Sequence, residues 1–336
     1  MAEEIKLFNE LIWYAGYSIR QYDSDDYQWT PGIIAQQIWF TTSLWLGVVG
    51  NVFVLHATIF HSAIKLDKLS IWIIQNLAVC DILNCLAVLL PTTINYYNYP
   101  KWILGVKFCI VESFYVISFT VANFLLINIL ACNKIHRCLY PLHNLIVTRK
   151  QKLWVTFGTL VWSILVIAWS FYQVLVWEFS SLYDPITGAC QIMYFIWNLS
   201  NAQKMVICAV IIVLGGIPCL TLVMSNIALI TIALRKSNSG VNKMNIVIVL
   251  LVTICFLLSA LPQVFILIIG NVDDAIKHMA WCLSMLSMWV NPYIYFATNN
   301  IFRKHTIRYV TQVLSRSSVF LRSASNKIFS REDQES

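Results

Sequence analysis

Seven long stretches of this 336-residue chain carry almost no charge. No Asp, Glu, Lys or Arg occurs in 27–64, 153–177, 205–234, 244–272 or 278–302, while 69–100 holds only Asp81 and 108–133 only Glu112. Each stretch is long enough for the ~20 residues a helix needs to cross ~30 Å of hydrocarbon. Lipid offers the backbone no hydrogen bonds, so such runs must satisfy themselves as helices. The pattern predicts helices at 36–60, 70–95, 106–135, 152–177, 203–234, 243–270 and 276–298. Composition excludes the alternatives. The chain is 59% hydrophobic and 12% charged, where a soluble domain has about 45–50% and about 25%. That rules out an ordinary soluble enzyme, a disordered chain and a nucleic-acid binder. The first span is too long for a cleaved signal and follows a polar, acid-rich segment. The expected fold class is an all-α membrane protein, a seven-transmembrane helix bundle over 36–298. Residues 1–35 precede it, and the polar, Ser-rich tail 312–336 has the composition of a disordered segment.

Basic residues orient the bundle. Seven spans place the termini on opposite sides. Lys6, Arg20, Lys101, Lys107, Lys204 and Lys277 fall on the N-terminal side, and the other seventeen of the 23 Lys and Arg fall on the opposite side. By the positive-inside rule, 1–35 is extracellular and the tail is cytosolic. The net charge of +7 follows from that rule and needs no nucleic acid. Of ten cysteines, Cys109 and Cys190 face the oxidising side. A bond between them would tie the outer connection 178–204 to span three; two free thiols are the alternative. Asn198-Leu199-Ser200 is a glycosylation sequon on the correct side, although span five lies close enough to block the transferase.

Two ionisable groups stand inside the spans, where they are costly and mark function. Asp81 lies mid-way along span two. Glu112 lies in the outer third of span three, on one helical face with Val116, Thr120 and Asn123. That stripe suits a wet cavity open to the outside. For Glu112 alone, an interfacial carboxylate snorkelling to water is the other reading. Pro91, Pro218, Pro262 and Pro292 fall inside spans two, five, six and seven, where each removes a backbone hydrogen bond.

These residues resemble the rhodopsin-like, or class A, family of G-protein-coupled receptors over about 36–310. Gly50-Asn51 matches the span-one motif and Leu77-Ala78-Val79-Cys80-Asp81 the span-two motif. Trp102 with Gly105 resembles the first outer loop. Trp162 matches the span-four tryptophan, and Pro218 and Pro262 the prolines of spans five and six. Asn291-Pro292-Tyr293-Ile294-Tyr295 matches NPxxY, and Phe302-Arg303-Lys304 follows as in the family's short amphipathic surface helix, here 299–311. The resemblance implies a Cys109–Cys190 disulfide. It also implies a sodium site at Asp81 with Asn123, Ser287 and Asn291, all able to offer oxygen to a hard cation; an Asp81 held only by amides and water is the alternative. No other cofactor is implied.

The family pattern is broken at the switch. Asn133-Lys134-Ile135 stands where the family has Asp-Arg-Tyr, so no acid restrains the basic residue, and lysine lacks the planar arginine fork. Ala260 replaces the tryptophan two residues before Pro262, and Asn226 replaces the span-five tyrosine; Phe256 matches. The resemblance implies a hinge near Pro262, with Asn291, Pro292 and Tyr295 in the switch. It also implies a cytosolic G-protein crevice lined by Lys134, the segment 139–150 with Arg149 and Lys150, and the connection 235–243.

By position, Glu112, Val116, Thr120, Gln263, Trp281 and Met285 line the ligand cavity. Retinal is excluded, because no lysine occurs in 278–302. Val116 in place of the third-span aspartate argues against an ordinary monoamine. A small amphipathic ligand or a short peptide end with a positive group remains. The implied partners are an extracellular ligand, a heterotrimeric G protein, arrestin and receptor kinases at the Ser-rich tail, and the lipid bilayer of the plasma membrane. The rival within the fold is a receptor that couples weakly to G proteins and acts as a scavenger or through arrestin. Other classes fit worse. An intramembrane metal hydrolase needs His and Asp clusters at membrane depth, yet the six histidines stand at or beyond span ends. A transporter or channel would be expected to show repeats or more buried charge.

Overall fold

The computed structural model describes residues 31–60, 68–97, 103–139, 149–177, 181–184, 189–192, 216–235, 243–269, 273–300, most of 302–315 and a few of 202–209. The side chains of Val116, Arg149, Cys190 and Gln263 lie outside the described residues, as do Asn198, the segments 1–30, 140–148 and 236–242, and the tail from 316.

The charge-free stretches form the helices that the pattern predicts. Span one is α1 (Pro31–Phe60). Span two comprises α2 (Lys68–Asn84), a π-helical segment (Cys85–Leu89) and α3 (Leu90–Tyr96). Spans three and four are α4 (Val106–Leu139) and α5 (Arg149–Trp177). The described part of span five is α6 (Ile217–Arg235), and span six is α7 (Lys243–Ile269). Span seven is divided at Met285 into α8 (Asp274–Ser284) and α9 (Leu286–Thr298). The outer connection adds a feature the charge pattern does not foresee. Strands β1 (Ser181–Asp184) and β2 (Ala189–Ile192) form an antiparallel hairpin with Tyr183 opposite Cys190.

Local chemistry sets several of these boundaries. Pro31 opens α1, where a missing N–H costs nothing. Asp273 caps α8 by accepting from the Ala275 N–H at 2.8 Å. The π-helical segment ends two residues before Pro91, which has no N–H to continue the α-helical ladder. Pro292 likewise leaves the Met288 carbonyl, four residues back, without its helical donor. Asn51 of span one donates to that oxygen at 3.0 Å and to the Gly47 carbonyl at 2.9 Å. One amide thereby repairs the proline defect and joins spans one and seven. Gly50 makes the approach possible: a β-carbon there would stand 3.0 Å from the Pro292 Cβ.

Burial divides the bundle into two cores. The inner core joins Val54, Ile74, Leu77, Leu126, Leu130, Leu222, Val249, Phe256 and Tyr295 from spans one, two, three, five, six and seven. Among the described residues the outer core is smaller. It joins Ile33, Phe40, Val88, Leu89, Trp281 and Met285 from spans one, two and seven. Ile38, Trp45, Val49, Val52 and Ile59 point away from both, giving α1 its lipid-facing side. A span is therefore apolar on both faces, and only its polar residues reveal which face is inside.

Candidate functional site

The polar residues of the spans form a seam between the two cores. At its centre is Asp81, fully buried. Asn123 of span three donates to one carboxylate oxygen at 2.6 Å, and Asn291 of span seven to the other at 3.1 Å. The Asn291 amide also donates to the Ser287 carbonyl at 2.9 Å. Ser287 donates its backbone N–H to Ser259 Oγ of span six at 3.1 Å, and Ser259 donates to the Cys255 carbonyl at 2.7 Å. Spans two, three, six and seven are thus tied at one level. Hydrogen bonds from two amides stabilise the carboxylate in a place where an isolated charge would be prohibitive.

This cluster joins Asp81, Asn123 and Asn291 directly, while Ser287 enters through its backbone. The donor set fits a hard cation. Asn123 Oδ1 is buried and has no hydrogen-bond partner among the described residues, and it stands on the same amide that touches Asp81. Sodium would take that oxygen with the carboxylate. Ser259 is a member that the family motifs do not point to. A serine three residues before Pro262 is the signal the sequence offers for it.

Outside the seam, span three leads back to its N-terminal end. Cys109 is buried and disulfide-bonded, and β2, which carries Cys190, packs beside α4. Glu112 is fully buried, and Thr92 of span two donates to its carboxylate at 3.3 Å. Thr120 is exposed although Glu112 and Asn123 on the same helical face are buried. Trp281 and Met285 are packed into the outer core, 3% and 1% exposed. The structure brings Glu112 together with Thr92, which sequence spacing alone could not pair across two spans.

Towards the C-terminal end of span three the seam ends in cross-links at the positions where the switch pattern is broken. Asn133 donates to Ser70 of span two at 2.9 Å. Lys134 is 6% exposed, drawn into the bundle rather than lining an open crevice, whereas Lys150 is exposed. Asn226 donates to the Leu222 carbonyl at 2.7 Å and to Thr253 Oγ1 of span six at 3.3 Å. Phe256 is buried and stacks on Phe124 with ring centres 5.0 Å apart. Tyr295 is buried beside it in the inner core, and Pro262 is half-buried.

Comparison with known proteins agrees with this architecture. The model of the 7 transmembrane receptor (rhodopsin family) matches residues 50–295. Among curated proteins, purinoceptor 1 of Homo sapiens is 26% identical over 304 residues, covering 83% of this chain and 78% of its own length. The Cavia porcellus protein of the same name is 25% identical over 303 residues, covering 83% and 78%. The crystal structure of squid rhodopsin superposes with a TM-score of 0.70 over 86% of this chain and 89% of that one, at 17% identity. That family is one of receptors, not enzymes. On the family match, and with helices that cross a membrane repeatedly, this chain belongs to the rhodopsin family of seven-transmembrane receptors.

Proposed function

We propose that the protein is a plasma-membrane receptor, N-terminus outside and C-terminus in the cytosol, for a small amphipathic molecule or short peptide end bearing a positive group. Binding shifts the helix bundle and activates a heterotrimeric G protein. The observation that carries the reading is Glu112, a carboxylate with no solvent exposure near the N-terminal end of span three, on the same helical face as the exposed Thr120. Thr92 donates to that carboxylate, and a carboxylate can accept a charge-assisted hydrogen bond from a ligand cation. The cavity would continue through Val116, Gln263, Trp281 and Met285. A Cys109–Cys190 bond would hold the β-hairpin over its mouth, and Asn198 would carry glycan outside.

The relatives are named purinoceptors, yet a nucleotide's phosphates call for cations. Stretches 69–100, 108–133, 205–234 and 244–272 contain no Lys or Arg, so these spans offer an acid instead. The ligand shifts the equilibrium only by its differential affinity for the two bundle states. Movement of span six about Pro262 would open the cytosolic side to the G protein, with Arg149 and Lys150 near the rim. Arrestin and receptor kinases would act at the Ser-rich tail. Sodium at Asp81, Asn123, Ser287 and Asn291 would favour one of the two states. Asp81→Asn should then abolish any dependence of agonist affinity on sodium, and equal affinity in sodium and in a bulky organic cation would remove the ion from this account.

Burial of Lys134 favours a second reading, a receptor that couples weakly to G proteins and signals through arrestin or clears its ligand. A ligand screen read out in parallel by second messenger and by arrestin recruitment decides between the two. A cationic agonist that raises second messenger supports the first reading. Arrestin recruitment or uptake alone supports the second, and activity confined to anionic ligands would overturn the role of Glu112.

A further inference from the structure

A helix breaks at a proline, at a glycine, or where a side chain enters its hydrogen-bond ladder. Span seven divides at Met285, and residues 281–289 contain neither proline nor glycine. The bonds around the break show what enters. In an unbroken α-helix the Met285 N–H would reach the Trp281 carbonyl, and the Ser287 N–H the Leu283 carbonyl. Here the Met285 N–H turns to the Leu283 carbonyl, and the Trp281 carbonyl accepts from Ser284 Oγ at 2.7 Å. The Ser287 N–H leaves its own span and donates to Ser259 Oγ of span six at 3.1 Å. The helix resumes through a tighter turn, in which the Met288 N–H donates to the Met285 carbonyl at 3.2 Å. Ser259 is 3% exposed, and its hydroxyl donates to the Cys255 carbonyl at 2.7 Å, which fixes the oxygen that Ser287 meets. One serine of span seven thus covers the carbonyl side of the break, and one serine of span six covers the N–H side.

A second arrangement of span seven would keep every backbone donor at the break satisfied. If α8 and α9 joined, Met285 would return to Trp281 and Ser287 to Leu283, while Ser259 kept its bond to Cys255. Only the link between spans six and seven would be given up. A choice so nearly balanced is what a two-state element needs. We propose that Ser259 is a positioning residue, a clasp that holds span seven in its broken form at rest and, when released, lets α8 and α9 join into the signalling form. Two neighbours give the break its consequence. Trp281 and Met285, whose backbone groups change partners, carry side chains of the outer core, where the proposed ligand cavity ends. Below the break, the Asn291 amide donates to the Ser287 carbonyl at 2.9 Å and to Asp81 at 3.1 Å, so the residue that the clasp holds also sets a bond of the polar seam. Ala260, beside Ser259, offers only a methyl group to this junction. A cavity occupant would act on the clasp by displacing Trp281 and Met285. That last step, and the link to signalling, rest on the receptor reading above; the clasp itself does not.

The test measures distances between pairs of spin labels in the full-length receptor in lipid nanodiscs, with no ligand added. The labels are carried on unnatural amino acids, because the chain has ten cysteines. They replace Phe265 of α7 and Met279 of α8, both exposed. Wild type should show one dominant separation. Ser259→Ala should raise the population at a second separation about threefold, the worth of one interhelical hydrogen bond in a membrane, and should raise ligand-independent second messenger in cells by the same factor. Ser287→Pro removes the donated N–H within the first turn of α9, where proline is tolerated. Added to Ser259→Ala, it should return the distances to those of wild type, because α8 and α9 can no longer join. Wild-type distances in Ser259→Ala alone overturn the clasp, and so does a second population that survives Ser287→Pro. Ser259→Cys keeps the volume and weakens only the acceptor, so it carries the test if the alanine variant does not fold: it should give the same second separation at lower population, and unchanged distances there overturn the clasp as well. Shifted distances with unchanged second messenger leave the clasp standing and remove G-protein activation from the receptor reading.

Discussion

In the inner half of the bundle, Asn133 donates to Ser70 and Asn226 to Thr253, so polar side chains bind one span to the next. In the outer half the links are Trp39 to the Cys282 carbonyl and Thr92 to Glu112, while buried polar atoms without a hydrogen bond of normal geometry among the described residues occur in both halves, at Gln36, Thr93 and Trp281 and at Asn128, Asn226 and Tyr295. Among the described residues the inner core is the broader of the two, drawing on six spans where the outer core draws on three. On the function proposed above, substitutions in the inner half should act on the bundle's own equilibrium and those in the outer half on what binds there. Asp81 sits between the halves with bonds to spans three and seven, where a change on one side can be felt on the other. Substitutions that act on one half only will break or sharpen this contrast.

The largest effect is expected at the centre. Asp81→Leu removes the acceptor of two amide donors and leaves both buried without it. Hydrogen bonds to a charged group contribute about 1.5–3 kcal/mol each, so the loss should reach several kcal/mol and nearly abolish surface expression. Asp81→Asn keeps an acceptor oxygen and should cost much less. If the leucine variant reaches the surface and unfolds at the wild-type temperature, the seam does not hold the two halves together.

Next is the outer half alone. Glu112→Gln should weaken a cationic agonist about tenfold or more, in line with one charge-assisted hydrogen bond, while leaving basal signalling unchanged. Equal potency on wild type and variant would make Glu112 a structural carboxylate held by Thr92.

The inner half should respond in the opposite manner. The Asn133-Lys134-Ile135 sequence implies an inactive state lacking its usual charged restraint, and we propose that the bond from Asn133 to Ser70 of span two takes its place. Interhelical hydrogen bonds in membranes average about 0.6 kcal/mol, equivalent to roughly a threefold shift in an equilibrium constant. Asn133→Ala should raise ligand-independent signalling by about that factor with agonist affinity little changed. Ser70→Ala should do the same, and the double variant should add nothing further. Additive effects in that cycle would mean the two residues act separately.

The seven spans, their approximate limits and the buried acids are legible in the sequence because charge is forbidden in lipid, and its absence leaves a strong mark. Asp81 with Asn123 and Asn291 is legible through the family resemblance. Pairings such as Thr92 with Glu112, Ser259 with Ser287 and Asn133 with Ser70 are not, since helical spacing fixes the face a residue occupies but not which neighbour rotates to meet it. The π-helical segment at Cys85–Leu89 is hidden for a related reason: Pro91 announces a defect in span two, but the same proline is compatible with a kink or a wider turn. The division of span seven at Met285 has no proline at the break at all. Gln36 does carry a signal, as a polar residue in a charge-free run on the same face as Phe40, but nothing in the sequence says that its amide stays without a strong partner.

The smallest effect is expected where span five meets span six. Asn226 occupies the place of the family's tyrosine and reaches Thr253 with a bond of 3.3 Å, long for a neutral pair. Thr253→Val keeps the shape of the side chain and removes only the hydroxyl. Asn226 keeps its 2.7 Å bond to the Leu222 carbonyl, so its amide nitrogen is not orphaned by the change. Thr253 is 2% exposed among the apolar side chains of the inner core, where a methyl group packs as well as a hydroxyl. The loss of a long neutral bond and the gain of apolar burial oppose each other, and each is worth about 0.5–1 kcal/mol. The unfolding temperature should therefore move by no more than about two degrees. Leu222→Ala in the same core serves as the comparison, since removing a fully buried leucine costs about 2–5 kcal/mol. A drop for Thr253→Val as large as that for Leu222→Ala would show that the inner half depends on its polar cross-links more than on its packing.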